Sequence, residues 1–357
     1  MKINFSQKNT LPDKFTFETS WKSPSNIALV KYWGKTGIQH PLNPSVSMTL
    51  KHAYSTIHLS AKKASVRKVH FTFNNQPNDA FVPKIEKALS LMEQYLPYLK
   101  TTELHINSTN AFPHSAGIAS SASSMSALAL ALAELDDMYT NHTNKDLFNR
   151  KASFLSRLAS GSAARSVFPG YSLWGQTELT DESSDDYAIE INKNIHPAFQ
   201  TVQDTILVVN ASPKAVSSST GHRLMVNHPF RDSRIEQALN HTKELFASLQ
   251  NGDWEAFIEL TEREALSLHG LMLSSQQSFI LMKPETLAII EKIRKFRKQT
   301  ALPLCFTLDA GPNVHVLYPK EQSGRISKFI NDELAIYCEN GYQLKDEIGP
   351  GPEKLNP

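Results

Sequence analysis

The chain has 357 residues, 40% hydrophobic and 20% charged, a balance that suits a packed globular protein and excludes a disordered one. Its 37 basic and 35 acidic side chains leave a formal charge of +2, so no global field draws it to nucleic acid or a membrane surface, and an anion must be held by local clusters or helix ends. Only Cys305 and Cys338 carry thiols, which excludes a disulfide framework and a thiolate metal site and fits a reducing cytoplasm.

The first fifteen residues are polar, without the apolar core of a secretory signal. Alternation predicts strands over residues 54–60, 69–74 and 103–107. An amphipathic helix is expected over 83–95, where Ile85, Leu89, Leu91 and Met92 recur at helical spacing. Residues 121–135 are small residues and leucines with no polar stripe, which predicts a fully buried helix. The surrounding low-charge run, 111–133, is broken by Pro113, Gly117 and serines, so it reads as a buried element and not a membrane span. Thr143 with Asp146 three residues later marks another helix start. The acidic stretch 181–194 is expected as an exposed excursion or irregular strands.

A strand over 205–210 begins a second block. Helices are expected over 235–249, 254–268 and 287–296, the last opened by Pro284. Strands 304–308 and 314–317 flank Asp309-Ala310-Gly311-Pro312-Asn313, and a helix over 326–337 follows. Mixed strands and helices without strict βαβ alternation argue for an α+β protein of two domains, residues 1–200 and 201–357.

Several segments carry chemistry. Residues 112–124 (FPHSAGIASSASS) run into the buried helix, and their small residues and hydroxyls suit a triphosphate at a helix start. The same serines equally suit bonds back to their own helix. In residues 24–35 (PSNIALVKYWGK), a strand leading into a turn puts Lys31 and Lys35 on one face, either to neutralise an anion or as surface lysines with snorkelling stems. Residues 160–166 (SGSAARS) offer two hydroxyls and a guanidinium within a turn, suited to a carboxylate or diphosphate or to a helix cap. Asp309 at a strand end can accept a hydroxyl proton in a cleft, or make an Asx-turn. Residues 214–222 hold four consecutive hydroxyl residues before Gly221, either near a phosphate or as a flexible loop. The thirteen histidines show no compact ligand spacing, so most are read as ordinary surface or core residues.

In this order, these segments resemble the GHMP superfamily of small-molecule kinases and, within it, the diphosphomevalonate decarboxylase family. Residues 26–35, 41–50, 112–124, 160–166, 216–222, 309–313 and 349–352 carry the resemblance, spread over nearly the whole chain. It implies a kinase-type α+β domain followed by a ferredoxin-like α/β sandwich, with the site between them. It also implies a cytoplasmic, magnesium- and ATP-dependent enzyme that converts mevalonate diphosphate to isopentenyl diphosphate, ADP, phosphate and carbon dioxide. Many relatives are homodimers, and the resemblance implies neither a nucleic-acid nor a membrane partner.

The resemblance further assigns roles. Asp309, Lys35 and Arg165 would carry catalysis. Tyr32, Lys35, Ser160, Ser162, Arg165 and Ser218 would line the substrate site. Ser115, Gly117, Ala119, Ser120, Ser121, Ser123 and Ser124 would hold the ATP phosphates, with Ser121 on magnesium. The chain departs from the family pattern at His114 and Ser115, at His222 and over residues 264–275. Kin acting on mevalonate or its monophosphate, and a catalytically silent ligand sensor on the same fold, are the competing readings.

Overall fold

The protein is described by a computed structural model covering residues 3, 5, 8–112, 120–140, 144–212 and 218–356, with the side chains of residues 139, 140, 218 and 219 excepted. Its first sheet is organised by two long strands, β1 (Thr16–Ala28) and β4 (Ser45–Lys63), which pair antiparallel. The small hairpin β2 (Lys35–Thr36) and β3 (His40–Pro41) lies between them in sequence. β5 (Lys68–Phe73), the short β6 (Gln76–Pro77), helix α1 (Val82–Met92) and β7 (Thr102–Asn110) follow, and β7 joins β4 antiparallel and β5 parallel. Alternation along β4 turns Ile57, Leu59 and Ala61 to the core and leaves His58, Ser60 and Lys62 on the outer face.

Helix α2 (Ser120–Thr140) packs into that core with Ala122, Leu128, Leu130, Leu132 and Leu135 all buried, the outcome its composition predicts. Helix α3 (Lys145–Ala159) begins one residue after the expected turn, because Asn144 supplies the cap by accepting from the Leu147 amide; Thr143 lies outside the described residues. β8 (Tyr171–Trp174) and β9 (Ala188–Glu190) close this half. The acidic stretch is therefore not wholly an exposed excursion, since Ala188 and Ile189 are buried and β9 pairs with β8.

The second sheet holds β10 (Val202–Leu207), β11 (Cys305–Leu308), β12 (Val314–Pro319) and β13 (Gln343–Glu347), in the antiparallel order β11-β12-β10-β13. That is the ferredoxin-like order. Between β10 and β11 run α4 (Ser218–Arg223), α5 (Arg231–Asn251), α6 (Trp254–Leu273) and α7 (Pro284–Thr300), and α8 (Ser323–Phe329) follows β12. The expected helix over 326–337 is broken: α8 widens into a π turn, Ile330–Leu334, and ends in a 3-10 turn. Strand alternation divides the sheet's faces. Phe306, Leu308, Val314 and Val316 pack with Ile289, Ile293 and Phe329, whereas Cys305, Leu317, Val202 and Ile206 join a core that includes Ile27, Val46 and Met48 of the first half.

The two halves thus share a hydrophobic core, and the chain's end stitches them further. A final strand, β14 (Glu353–Leu355), returns to pair with β1, so a single cut at residue 200 does not separate the two sheets. Just before it, buried Asp346 accepts the amides of Lys51 and His52 on Oδ1 and that of Ala53 on Oδ2, at 2.7–2.9 Å. Gly349 is packed so closely that a side chain there would meet the Leu50 carbonyl at 2.4 Å. Among the described residues no helix is long and apolar enough to cross a membrane. Replacing Asp346 with Ala strands three amides of β4, and a loss of about 2–4 kcal/mol is expected. Urea unfolding measures it as a lower midpoint at unchanged slope.

Candidate active site

β1 ends at Ala28, where the amides of Leu29 and Val30 both turn to the Val46 carbonyl. The period-two argument for Lys31 and Lys35 therefore fails, and the two lysines go to different places. Lys31 is buried, its side chain 3% exposed, with Nζ donating to Ala28 O at 2.6 Å and lying 3.8 Å from Asp309 Oδ1. Burial pushes its pKa down to about 8, opposed by the nearby charges of Asp309 and Glu264.

The Lys31 backbone is clamped. Its amide donates to Glu264 Oε2 at 2.8 Å, and its carbonyl accepts from Arg234 and from Asn43. Arg234 in turn grips both oxygens of Glu264 at 2.6 Å, and His241 Nδ1 meets Oε1 at 2.5 Å. All of these side chains are buried. Burial acts to raise the Glu264 pKa, but Arg234 and the hydrogen bonds outweigh it and hold the carboxyl at about 2. This is a bidentate, charge-assisted arrangement in which both Glu264 oxygens are used, while Arg234 Nε and Asn43 Oδ1 have no partner.

Asp309 follows β11 in the turn to β12 and is 29% exposed. The His269 ring donates from Nε2 to its carbonyl at 3.0 Å; burial pushes that imidazole down to about 4, so it is neutral. Arg165 sits in the 3-10 turn Gly161–Val167, 2% exposed, and donates to Ser45 Oγ, while its Nε has no partner. Burial lowers its pKa to about 10, with Asp309 and then Tyr32 acting in the opposite sense. The Tyr32 hydroxyl is also buried without a partner, and burial raises its pKa. Orphaned buried donors in a site of this kind await a ligand. Gly161 is required here, because a Cβ would come within 2.9 Å of the Tyr32 hydroxyl and of Trp174. Ser160 and Ser162, both partly exposed, flank it.

His222 accepts the Gly34 amide on Nδ1 at 3.0 Å and packs against the rings of Tyr32 and Trp33. Burial holds it down to about 3, so it stays neutral beside Lys35 and Arg165. This departure from the family pattern supports the turn carrying Tyr32. Beneath it, Trp33, Met225, Leu268, Leu271 and Met272 form an apolar seam that Ala310 joins.

Lys35 is drawn elsewhere. Its Nζ donates to Gln39 at 2.9 Å, and burial, then Lys87 and Arg223, lower its pKa. Lys84, one turn before Lys87 on α1, reaches the start of α2 and donates to Ser121 Oγ at 2.7 Å. Three segments thus bring cations toward one region, a basin suited to phosphate. Beside Lys84 lies a small pocket of about 50 Å³ walled by Phe71, Phe73, Phe81 and Ile106 and reaching Ser120, Ser121 and Ser124.

The phosphate-loop expectations divide. Ser115, Gly117 and Ala119 lie outside the described residues, as does the side chain of Ser218, whose backbone opens α4. The hydroxyls of Ser123 and Ser124 turn back to the Ser120 carbonyl, and Ser123 also meets Ser55. Those two serines follow the back-bonding alternative. Lys31, Glu264, Arg234, His269, Lys84, Lys87 and Arg223 were absent from the expected site. Lys31 alone had a local signal, its place in the KYWGK motif; the rest depend on distant packing.

The family model for the diphosphomevalonate decarboxylase-like N-terminal domain matches residues 23–187, and that for the mevalonate 5-diphosphate decarboxylase C-terminal domain matches 205–348. The chain is 31% identical over 355 residues to diphosphomevalonate decarboxylase of Ganoderma lucidum, covering 93% of this chain and 85% of that one. The crystal structure of mevalonate diphosphate decarboxylase from Staphylococcus aureus superposes with a TM-score of 0.82 at 26% identity, over 96% of this chain and 99% of the other. MDDEF in complex with MVAPP, AMPPCP and magnesium gives 0.80 at 26% identity, over 96% and 100%. Together with a carboxylate from the second half meeting buried cations of the first, matches running the length of both chains make one assignment: this chain belongs to the diphosphomevalonate decarboxylase family.

Proposed function

We propose that the chain catalyses the ATP-dependent decarboxylation of mevalonate diphosphate to isopentenyl diphosphate, releasing ADP, phosphate and carbon dioxide. The observation that carries this reading is Asp309 Oδ1 at 3.8 Å from the buried ammonium of Lys31, within the field of buried Arg165. A tertiary hydroxyl is a poor leaving group, so phosphorylation comes first. Asp309 orients that hydroxyl, whose proton passes to the oxygens of the transferred phosphate, so Asp309 stays a carboxylate; no strong base is needed when the phosphoryl transition state is loose. Lys31 holds the carboxylate in position. When phosphate departs, positive charge grows at the tertiary carbon, and the Asp309 carboxylate stabilises it. The unpartnered Nε of Arg165 and the Tyr32 hydroxyl supply donors for the substrate carboxylate, whose loss as carbon dioxide leaves the electron pair of the new double bond.

Lys35, Arg223 and Lys87, with Ser160, Ser162 and Ser218, serve the diphosphate and the transferred phosphate, so Lys35 acts on phosphate and Lys31 takes the place beside Asp309. Ser120, Ser121 and the segment holding Ser115, Gly117 and Ala119 bind the ATP phosphates at the start of α2, with the aromatic residues beside Lys84 next to the nucleotide. Ser121 stays the proposed magnesium ligand at this helix start: its hydroxyl accepts the Lys84 ammonium at 2.7 Å and keeps a second lone pair for the ion. Magnesium takes mostly phosphate oxygens and water, and every step above rests on protein groups. A cytoplasmic homodimer, its halves residues 1–200 and 201–357 apart from the returning β14, completes this reading.

The reaction is tested by incubating the protein with ATP, magnesium and mevalonate carrying zero, one or two phosphates, and measuring ADP and carbon dioxide together. Stoichiometric release of both from the diphosphate alone is expected. ADP without carbon dioxide makes the chain a kinase, and neither product makes it a sensor. Asp309→Asn is expected to lower turnover about a thousandfold while ATP affinity stays within about twofold.

The pH profile tests Lys31. As its pKa in the free protein is about 8, kcat/KM is expected to fall above that pH as the ammonium is lost. Bound substrate anions favour the charged form, so the fall in kcat lies at higher pH. Stability runs the other way. A lysine whose pKa is depressed on folding destabilises the fold fully below about 8, and that cost is relieved as pH rises toward the unfolded value of 10.5. Glu264→Gln removes a negative charge that supports the ammonium, so the kcat/KM limb is expected to move about one unit lower. It also leaves Arg234 buried without its counter-charge, at a cost of about 3 kcal/mol in urea unfolding.

A further inference from the structure

The outer face of the first sheet gathers a second set of ligand-type side chains. β5 and β7 run parallel with His70 opposite His105, and Glu103 precedes His105 by two residues. The three side chains therefore share one face, while Phe71, Leu104 and Ile106 turn into the core. The two imidazoles stack with centroids 4.4 Å apart and planes 15° from parallel. Glu103 Oε1 lies 2.8 Å from His105 Nε2 and 3.8 Å from His70 Nε2. One ligand atom from each residue lies within 4.8 Å of the other two.

We propose that His70, Glu103 and His105 form a binding site for a borderline divalent cation of the zinc class, separate from the active site. Imidazole nitrogens and a carboxylate oxygen are the donors such ions prefer, and three protein ligands with a water complete a tetrahedron. Zinc–nitrogen bonds of about 2.1 Å put neighbouring ligand atoms about 3.4 Å apart. Glu103 and His105, at 2.8 Å, must therefore open somewhat, while His70 closes in from 3.8 Å. The two histidines are exposed and reach that spacing by side-chain rotation, while the ladder between β5 and β7 holds their backbones in register. Glu103 Oε1 already attracts a cation, the exposed ammonium of Lys62 at 3.0 Å, which can swing into solvent when a divalent ion arrives. Magnesium is too hard a cation for two imidazoles and is not the ion this site selects.

The site lies on the face of the sheet opposite the aromatic pocket, so its variants leave the proposed catalytic machinery intact. The test is calorimetric titration of the full chain, stripped of metal with a chelator, using zinc chloride with magnesium chloride in excess. The expected result is one equivalent bound with Kd tighter than about 100 µM. The double variant His70→Ala/His105→Ala is expected to lose that equivalent, its affinity falling at least about tenfold, with an unchanged circular dichroism spectrum. Zinc is also expected to raise the thermal midpoint of the parent and not of the double variant. Binding weaker than about 100 µM in the parent, or zinc held by the double variant within about tenfold of the parent's affinity, overturns the proposal.

Discussion

A buried ammonium beside a half-open carboxylate is the contact around which this molecule is arranged. Water removed from Lys31 is not replaced by a full hydrogen-bonded shell: its Nζ has the Ala28 carbonyl at 2.6 Å and Asp309 at 3.8 Å. Such a group is costly to bury and tends to shed its proton. It keeps the charge at neutral pH because two carboxylates, Asp309 and Glu264, oppose the desolvation. The two come from different elements, the β11–β12 turn and α6, so the charge state of one lysine depends on how both are packed.

The packing leaves that lysine little freedom. Glu264, Arg234 and Asn43 hold the amide and carbonyl of Lys31, while the amides of Leu29 and Val30 anchor the preceding turn to Val46. The apolar core common to both sheets, the Asp346 contacts and the return of β14 join the halves around it. Gly34 shows the same constraint locally: its φ of +89° and a Cβ position 2.4 Å from Leu42 admit only glycine at the turn between Trp33 and Lys35. His222 closes this turn from α4, so a residue outside the family pattern does structural work in this chain.

Much of the fold was legible because its cues are local. The uniformly apolar stretch of α2, the proline opening α7, the alternation in β5, β7, β11 and β12 and the turn at Asp309 each reflect short-range periodicity or backbone preference. Where the reading was incomplete, the missing part was decided by packing or by a single side chain. The helix expected near residue 143 is capped by Asn144, whose side chain accepts the Leu147 amide. In the acidic stretch the strand alternative holds for β9, which is stabilised by β8 and not by its own pattern. The thirteen histidines carry no ligand spacing along the chain, yet His70 and His105, thirty-five positions apart, become neighbours because β5 and β7 pair in parallel.

From the sequence alone came the α+β class and the ordered set of motifs, because turns, helix starts and strand ends are written in adjacent residues, while Asp309, Arg165 and Tyr32 entered as expected site residues through the family resemblance. Only the tertiary structure chose Lys31 over Lys35 as the partner of Asp309, put Lys84 on Ser121 and assembled Glu264, Arg234 and His241 around one backbone amide. Those choices turn on burial and on charges brought together across tens or hundreds of positions. Two lysines four residues apart look alike until the fold removes water from one of them.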